Sequence, residues 1–244
     1  KRLLLPVSYW RAAEFAFVGR ELNLPPDSRV LDLGSPKDLA LFLALRRNYE
    51  IVAVDILPDA IEISERFAQA QGRSGAGAGY VKSEVQDGRA LPYADNTFDA
   101  AYSVSVLEHI PDAGDSTAIS ELVRIVRPGG RIAVTVPYDR QYRETFVRGR
   151  VYDRDLGERT FFERHYDDAT LQTRLLSVAN AHVDRLELWG EGPISGERIL
   201  SALGSARTLV SPLEGAMAAT LLRRVTSRKD RPMAAFFTLV KNHD

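Results

Sequence analysis

Four stretches of the chain set polar residues directly behind short apolar runs: "VLDLG" (30–34), "VAVD" (52–55), "VQDG" (85–88) and "AYSVSVLEHI" (101–110). The residue types define a chemistry. An ionised carboxylate only accepts hydrogen bonds, so Asp55 suits a vicinal diol and Asp87 an aromatic amino group. Asp55 follows Gly34 by about 20 residues, the separation at which nucleotide-binding α/β folds place the acid that holds a ribose. Gly34 has no Cβ, which lets a ligand approach the backbone. His109 is the one imidazole in these stretches and a candidate general base, since its ordinary pKa lies near neutrality.

These residues need elements that carry them to one place. Short apolar strands are expected at Arg29–Leu33, Glu50–Asp55, Tyr80–Val85, Phe98–Ser103 and Arg131–Val136. Helical periodicity is expected over Ser8–Leu22, Asp38–Arg47, Pro58–Gln71, Thr117–Val126 and Asp168–Val178. Strands alternating with helices argue for a parallel sheet covered on both faces, in which ligands bind outside the carboxyl ends of the strands. His182–Trp189 and Met233–Val240 read as two closing strands. One domain is expected over residues 1–244, with an Arg- and aromatic-rich insert at 138–166 and a helical insertion at 190–232.

Composition narrows the classes. Lys and Arg number 32 against 33 Asp and Glu, so no global field points to nucleic acid. Cysteine is absent, which removes disulfides and thiolate chemistry. No apolar run is long enough to span a bilayer and no signal peptide is visible, so a cytoplasmic location is expected. The chain opens on Lys1 rather than Met, so a short native start is expected to precede it.

The ordered series "VLDLG", "IVAVDI", "QDGRALPYADNTFDAAYSVSVLEHI" and "ELVRIVRPGGRIAVTVP" resembles the class I S-adenosylmethionine-dependent methyltransferases, closest to their bacterial small-molecule branch, over roughly 30–137. The resemblance implies a Rossmann-like, doubly wound α/β sheet of seven strands in the order 3-2-1-4-5-7-6, the last antiparallel. It implies S-adenosylmethionine as cofactor. Asp32, Leu33, Gly34 and Ser35 would line its methionine end, Asp55 its ribose, and Ile56, Asp87 and Gly88 its adenine. Ser103 and Val104 would lie beneath the sulfonium, and "RPGG" would be a turn into strand five. Some relatives bind a divalent metal through Glu-x-x-Glu-His at the place of Ser105, Glu108 and His109; Ser105 removes one anionic ligand, so no metal is expected.

The implied activity is methyl transfer to a small-molecule, glycan or lipid-like acceptor. Tyr138, Arg143 and His165 of the insert are the candidates to touch it, because guanidinium forks suit carboxylates and phosphates; the competing reading pairs these arginines with the insert's own acids. A basic amphipathic helix within 205–231 suits peripheral membrane contact, against core packing. Two other functions fit the same layout: a nicotinamide-dependent oxidoreductase, disfavoured because Pro36 and Lys37 stand where a pyrophosphate loop needs glycine, and a non-catalytic cofactor-binding protein.

Overall fold

The computed structural model describes residues 9–151, 154–155, 159–204, 210–225 and 231–243. Ser8, parts of the expected insert (152–153 and 156–158) and parts of the expected membrane-contact region (205–209 and 226–230) lie outside the described residues.

Five parallel strands run through β1 (Arg29–Leu33), β2 (Glu50–Asp55), β3 (Val81–Val85), β4 (Phe98–Val104) and β5 (Val126–Pro137). Helices α1 (Tyr9–Glu21), α2 (Lys37–Arg47), α3 (Pro58–Ala70) and α4 (Gly114–Ile125) join or flank them. Strands β1, β2 and β4 are buried on both faces, which is why they read as continuous apolar runs rather than alternating ones. Side chains of alternate parity go to opposite layers. Leu31, Val52 and Val54 pack with Ile119 and Leu122 of α4, whereas Val30, Ile51 and Ala53 pack with Phe17 of α1, Leu39 and Leu43 of α2 and Ala68 of α3. Each fully buried Leu contributes roughly 1.5–3 kcal/mol.

After β5 the chain forms a hairpin, β6 (Arg143–Val147) against β9 (Thr160–His165), with a small inner pair, β7 (Arg150–Val151) and β8 (Arg154–Asp155). A single helical turn, α5 (Asp168–Leu171), is fixed by a capping box in which Asp167 Oδ1 accepts from Thr170 N at 2.9 Å. It passes into a wider turn over Gln172–Leu176, so the helix expected to Val178 is only partly regular. Then come β10 (Ala181–Glu191), α6 (Gly196–Ala202), α7 (Glu214–Leu221), β11 (Leu222–Arg224) and β12 (Pro232–Lys241).

The sheet has eight strands, in the order β11-β10-β12-β5-β4-β1-β2-β3. The expected order of seven is contained in it, and β12 lies antiparallel beside β5 as expected. The eighth strand lies within 205–231, where a basic amphipathic helix is expected: α7 stops at Leu221, and Leu222–Arg224 pairs with the end of β10. The helix's apolar side is already used, since Ala218 and Leu222 are buried with Tyr9 and Leu200, and the Tyr9 amide donates to Glu214 Oε2 at 2.8 Å. Among the described residues the helix ends at Leu221, before the basic residues Arg223 and Arg224. No helix among the described residues is long and apolar enough to cross a membrane. The "RPGG" segment falls in the register shift between the Phe98–Val126 and Ala100–Arg131 pairs and leads, as expected, into the regularly paired part of β5.

One consequence governs function. The carboxyl ends of β1 to β5 share one edge of the sheet. Because β12 runs the other way, its start joins that edge: Ala234 pairs with Pro137 at the end of β5 and with Trp189 near the end of β10.

Candidate functional site

The turn after β1 is built on backbone that only glycine adopts without strain. Gly34 has φ +65°, and its amide donates to Val54 O at 2.7 Å, pinning the turn to β2. Asp32 Oδ1 accepts from Ser35 N at 3.0 Å, and Ser35 Oγ accepts from Val104 N at 2.9 Å. Ser103 Oγ donates to Leu33 O at 3.2 Å. Asp32, Ser35, Ser103 and Val104 are buried beneath the turn and brace it against β4. Burial raises the Asp32 carboxyl above its ordinary range, opposed by the nearby Lys37 ammonium.

Above this floor lies a cavity of about 60 Å³ whose lining includes Leu33, Gly34, Asp55, Ile56, Asp87 and Gly88. Six of the ten expected cofactor residues thus face one space, and the other four support it. Asp55 Oδ1 accepts from Leu57 N at 3.1 Å, and its Oδ2 lies 3.0 Å from Lys37 Nζ. Asp87 is gripped by Arg89, with Nη2 2.6 Å from Oδ2 and Nε 3.0 Å from Oδ1. Each carboxylate oxygen retains acceptor capacity for a further donor. Ile56 is half exposed and offers an apolar face for a ring.

The donor set fits a nucleoside with a diol and an amino group. The volume does not yet match, because ligand clefts usually measure roughly 300–1,000 Å³. One lining side chain, that of Val106, narrows the space over Gly34. Val106 Cγ1 stands 2.9 Å from where a Cβ on Gly34 would be, and Lys37 spans from the turn to Asp55. Binding the whole cofactor requires Val106 to swing aside. Neither the Lys37–Asp55 pair nor the Val106 cover is visible in local spacing; the Asp87–Arg89 clamp is hinted at by two opposite charges two residues apart.

The residues after β4 are tied to α1. Ser105 sits at φ +52°, a costly conformation for a residue with a Cβ. It is held by Thr135 O, which accepts its amide at 3.0 Å, and by Glu14 Oε1, which accepts from its Oγ at 2.6 Å. Thr135 Oγ1 donates to the same Glu14 oxygen at 2.9 Å. Glu14 therefore fixes where the two central strands end, a role the sequence does not reveal.

Glu108 and His109 follow in a short turn, Leu107–His109. His109 Nδ1 lies 2.8 Å from Phe162 O, so that nitrogen carries the proton and donates. Its ring also packs on Phe162, 5.2 Å between centroids. Burial lowers its pKa, leaving the imidazole neutral. His109 lines neither this cavity nor the larger one described next; its contacts make it a bracket between the post-β4 turn and β9. Glu108 is fully buried, and its Oε2 has no hydrogen-bond partner. Burial, reinforced by the charge of Glu14, pushes its carboxyl well above the ordinary range and favours the protonated form. An acid with a raised folded pKa stabilises below its unfolded value and loses that contribution as pH rises. Glu108→Gln is accordingly expected to raise the melting temperature at pH 8, with the gain shrinking towards pH 4. A melting series in which wild type and variant differ equally at both pH values would contradict a buried neutral Glu108.

A second cavity, about 960 Å³, opens on the same sheet edge across β5. Tyr138, Arg143 and His165, the expected acceptor residues, all line it. The Tyr138 hydroxyl donates to Asp168 Oδ1 at 2.8 Å. Arg143 Nη2 donates to His165 Nδ1 at 3.0 Å, and His165 Nε2 donates to Glu163 Oε1 at 3.1 Å. This chain fixes the imidazole tautomer. Met233 at the start of β12, Glu191 at the end of β10 and Arg198 on α6 complete walls that lie far apart along the chain.

With this geometry in place, comparison with known proteins is informative. Residues 31–134 match the family model described as a methyltransferase domain. An O-methyltransferase of Aspergillus nomiae is 31% identical over 118 residues, which cover 48% of this chain and 50% of that protein. The chain therefore spans about half the length of the curated relatives it matches. A solved S-adenosylmethionine-dependent methyltransferase of Methanosarcina mazei superposes with a TM-score of 0.61 at 17% identity, covering 93% of this chain and 97% of that one. The [4+2]-cyclase SpnF superposes at 0.64 with 20% identity, covering 97% and 85%. At these identities the structural likenesses show the fold, and the cyclase shows that the fold alone does not determine the reaction. The family match, however, coincides with the strands and turns that carry Asp32, Gly34, Asp55 and Asp87, so the part of the chain that is similar to a methyltransferase domain is the part that builds this site.

Proposed function

We propose that the protein transfers a methyl group from S-adenosylmethionine to a small-molecule acceptor. The observation that carries this reading is the pair of cavities on one sheet edge. The smaller holds the nucleoside-binding groups and the larger is roomy enough for an organic molecule. At the ends of β4 and β5, Ser105, Thr135 and Glu14 interlock.

Within this reading, Asp55 takes the ribose hydroxyls, Asp87 the adenine amino group, and Ile56 packs on the ring. Gly34 and Ser35 offer backbone at the methionine end, with Asp32 bracing the turn. Ser103 and Val104 form the floor under the reacting centre. When bound, the cofactor supplies an electrophilic methyl group on a sulfonium, which needs no further activation. The residues of this chain orient the acceptor and exclude water, so proximity and orientation carry most of the rate. An acceptor that ionises readily needs no protein base, consistent with His109 being engaged by Phe162.

Lys37 tunes the cofactor side. Its ammonium is the nearest charge opposing protonation of Asp32, and it pairs with Asp55 while both side chains are mostly buried. Lys37→Ala is expected to weaken cofactor binding by roughly tenfold or less, about 1 kcal/mol, with the fold retained. Tighter binding in calorimetry would mean that the ion pair competes with the ribose instead of preparing Asp55 for it.

Titration of the full chain with S-adenosylmethionine, S-adenosylhomocysteine and a nicotinamide dinucleotide tests the reading. Binding of the first two without the third is expected. Tight binding of the dinucleotide alone would establish an oxidoreductase, and no binding at all would establish a protein with a disabled cofactor turn.

A further inference from the structure

We infer that the 960 Å³ cavity is an anion-binding site, and that the acceptor it receives carries a carboxylate or phosphate group. Four guanidinium side chains line it, those of Arg140, Arg143, Arg198 and Arg231, against two carboxylates, Asp139 and Glu191. The acids are already engaged. Asp139 Oδ2 accepts from Arg143 Nε at 3.1 Å, and Glu191 accepts from the hydroxyl of Ser195, the residue that caps α6. Arg198 and Arg231 form no ion pair among the described residues. The lining thus carries more positive than negative charge in a chain whose net charge is −1.

The four arginines reach the cavity from three places far apart along the chain: the segment after β5, α6, and the approach to β12. Like charges repel, and gathering them around a concavity is costly unless an anion relieves them. The competing reading, a solvated loop whose arginines pair with its own acids, accounts for Arg143 but not for Arg198 and Arg231, which lie outside that loop. Guanidinium is planar, always charged and matched to the two oxygens of a carboxylate or phosphate. The remaining lining, including Tyr138, Met233 and Pro193, is suited to an apolar or aromatic body attached to the anionic group. A concave site of this size fits a small molecule rather than a polymer, and its charge does not suit a purely lipid-like acceptor.

As an acceptor site the cavity rests on the methyl-transfer reading; as an anion site it stands without it. The test therefore measures binding alone. The full chain is titrated with benzoate, phenyl phosphate and benzamide, the last being a neutral analogue of benzoate, and separately with S-adenosylhomocysteine. At least one of the two anions is expected to bind at least tenfold more tightly than benzamide and to weaken as salt is added; whichever anion binds more tightly identifies the carboxylate or the phosphate source. The exposed substitutions Arg198→Gln and Arg231→Gln, singly and together, are expected to weaken anion binding about tenfold each, with unchanged melting temperature and unchanged S-adenosylhomocysteine affinity. Equal binding of benzoate and benzamide, no binding of either anion, or anion affinity indifferent to both substitutions would overturn the inference. Anion binding that persists while S-adenosylhomocysteine fails to bind would leave the inference standing and remove the methyltransferase reading.

Discussion

Gly34→Val is expected to abolish cofactor binding, at least a hundredfold loss by calorimetry with S-adenosylhomocysteine, while leaving a folded chain. Two effects add. At φ +65° a β-branched side chain meets its own backbone, a conformation that costs roughly 1–2 kcal/mol even for simpler residues. In addition, its Cβ would fall 2.9 Å from Val106 Cγ1, inside the space that Val106 must vacate for the ligand. The turn is anchored through the Gly34 amide to Val54 O, so it cannot retreat without disturbing the end of β2, where Asp55 begins its contacts. Gly72→Val is the matched control. Gly72 has φ +63° but nothing within 4 Å of an added Cβ, so it pays the same backbone strain away from the site. The control is expected to lose stability and keep cofactor affinity. If Gly34→Val bound as tightly as wild type, the cofactor would have to lie elsewhere.

Asp115→Asn is expected to be the most destabilising single isosteric change, by about 3–5 kcal/mol in urea unfolding at pH 7. Asp115 and Arg164 are both 0% exposed, with Arg164 Nη1 2.6 Å from Asp115 Oδ2. That contact lies off the hydrogen-bond direction, so it is chiefly Coulombic. Arg174 Nη2 lies 2.6 Å from Asp115 Oδ1, and the Tyr166 hydroxyl donates to Oδ2 at 2.8 Å. One carboxylate at the start of α4 thus clamps β9, the residue following it, and the turn after α5. Removing its charge leaves a buried guanidinium without a counter-ion, whereas Asp115→Leu with Arg164→Met removes both charges and is expected to recover much of the loss. Burial alone would raise the Asp115 pKa, but hydrogen bonds from Arg174 and the charge of Arg164 hold it below its ordinary value. A depressed folded pKa contributes stability that is present above the unfolded value, near 3.8, and lost as pH falls through the folded one. Wild type is therefore expected to lose stability more steeply below pH 4 than Asp115→Asn. A loss under 1 kcal/mol at pH 7 would show that Arg164 finds another partner.

The parts of the site that lie within one strand and its following turn were readable from residue order. β1 and β2 begin and end where the apolar runs do, Asp55 closes β2, and Asp87 stands just past β3. The region after β5 was read less well. The Arg-rich segment is a hairpin held by Arg164, whose partner Asp115 precedes it by 49 residues. Leu222–Arg224 forms a strand because the exposed edge of β10 offers it backbone hydrogen bonds, and that edge exists only after the sheet assembles. His109, chosen for its titration range, is turned towards β9 by the Phe162 carbonyl.

By itself, the sequence determined that a parallel sheet forms and that its central strands deliver Asp32, Gly34, Asp55 and Asp87 to a common edge. Hydrophobic periodicity and glycine conformation act over a few residues, so they survive in a linear reading. Tertiary structure alone decided which charges meet: Lys37 with Asp55, Glu14 with Ser105 and Thr135, and four arginines around one cavity. Those contacts join segments separated by up to 121 residues, and Coulombic and hydrogen-bonding partners at that range are chosen by the packing of the sheet rather than by spacing along the chain.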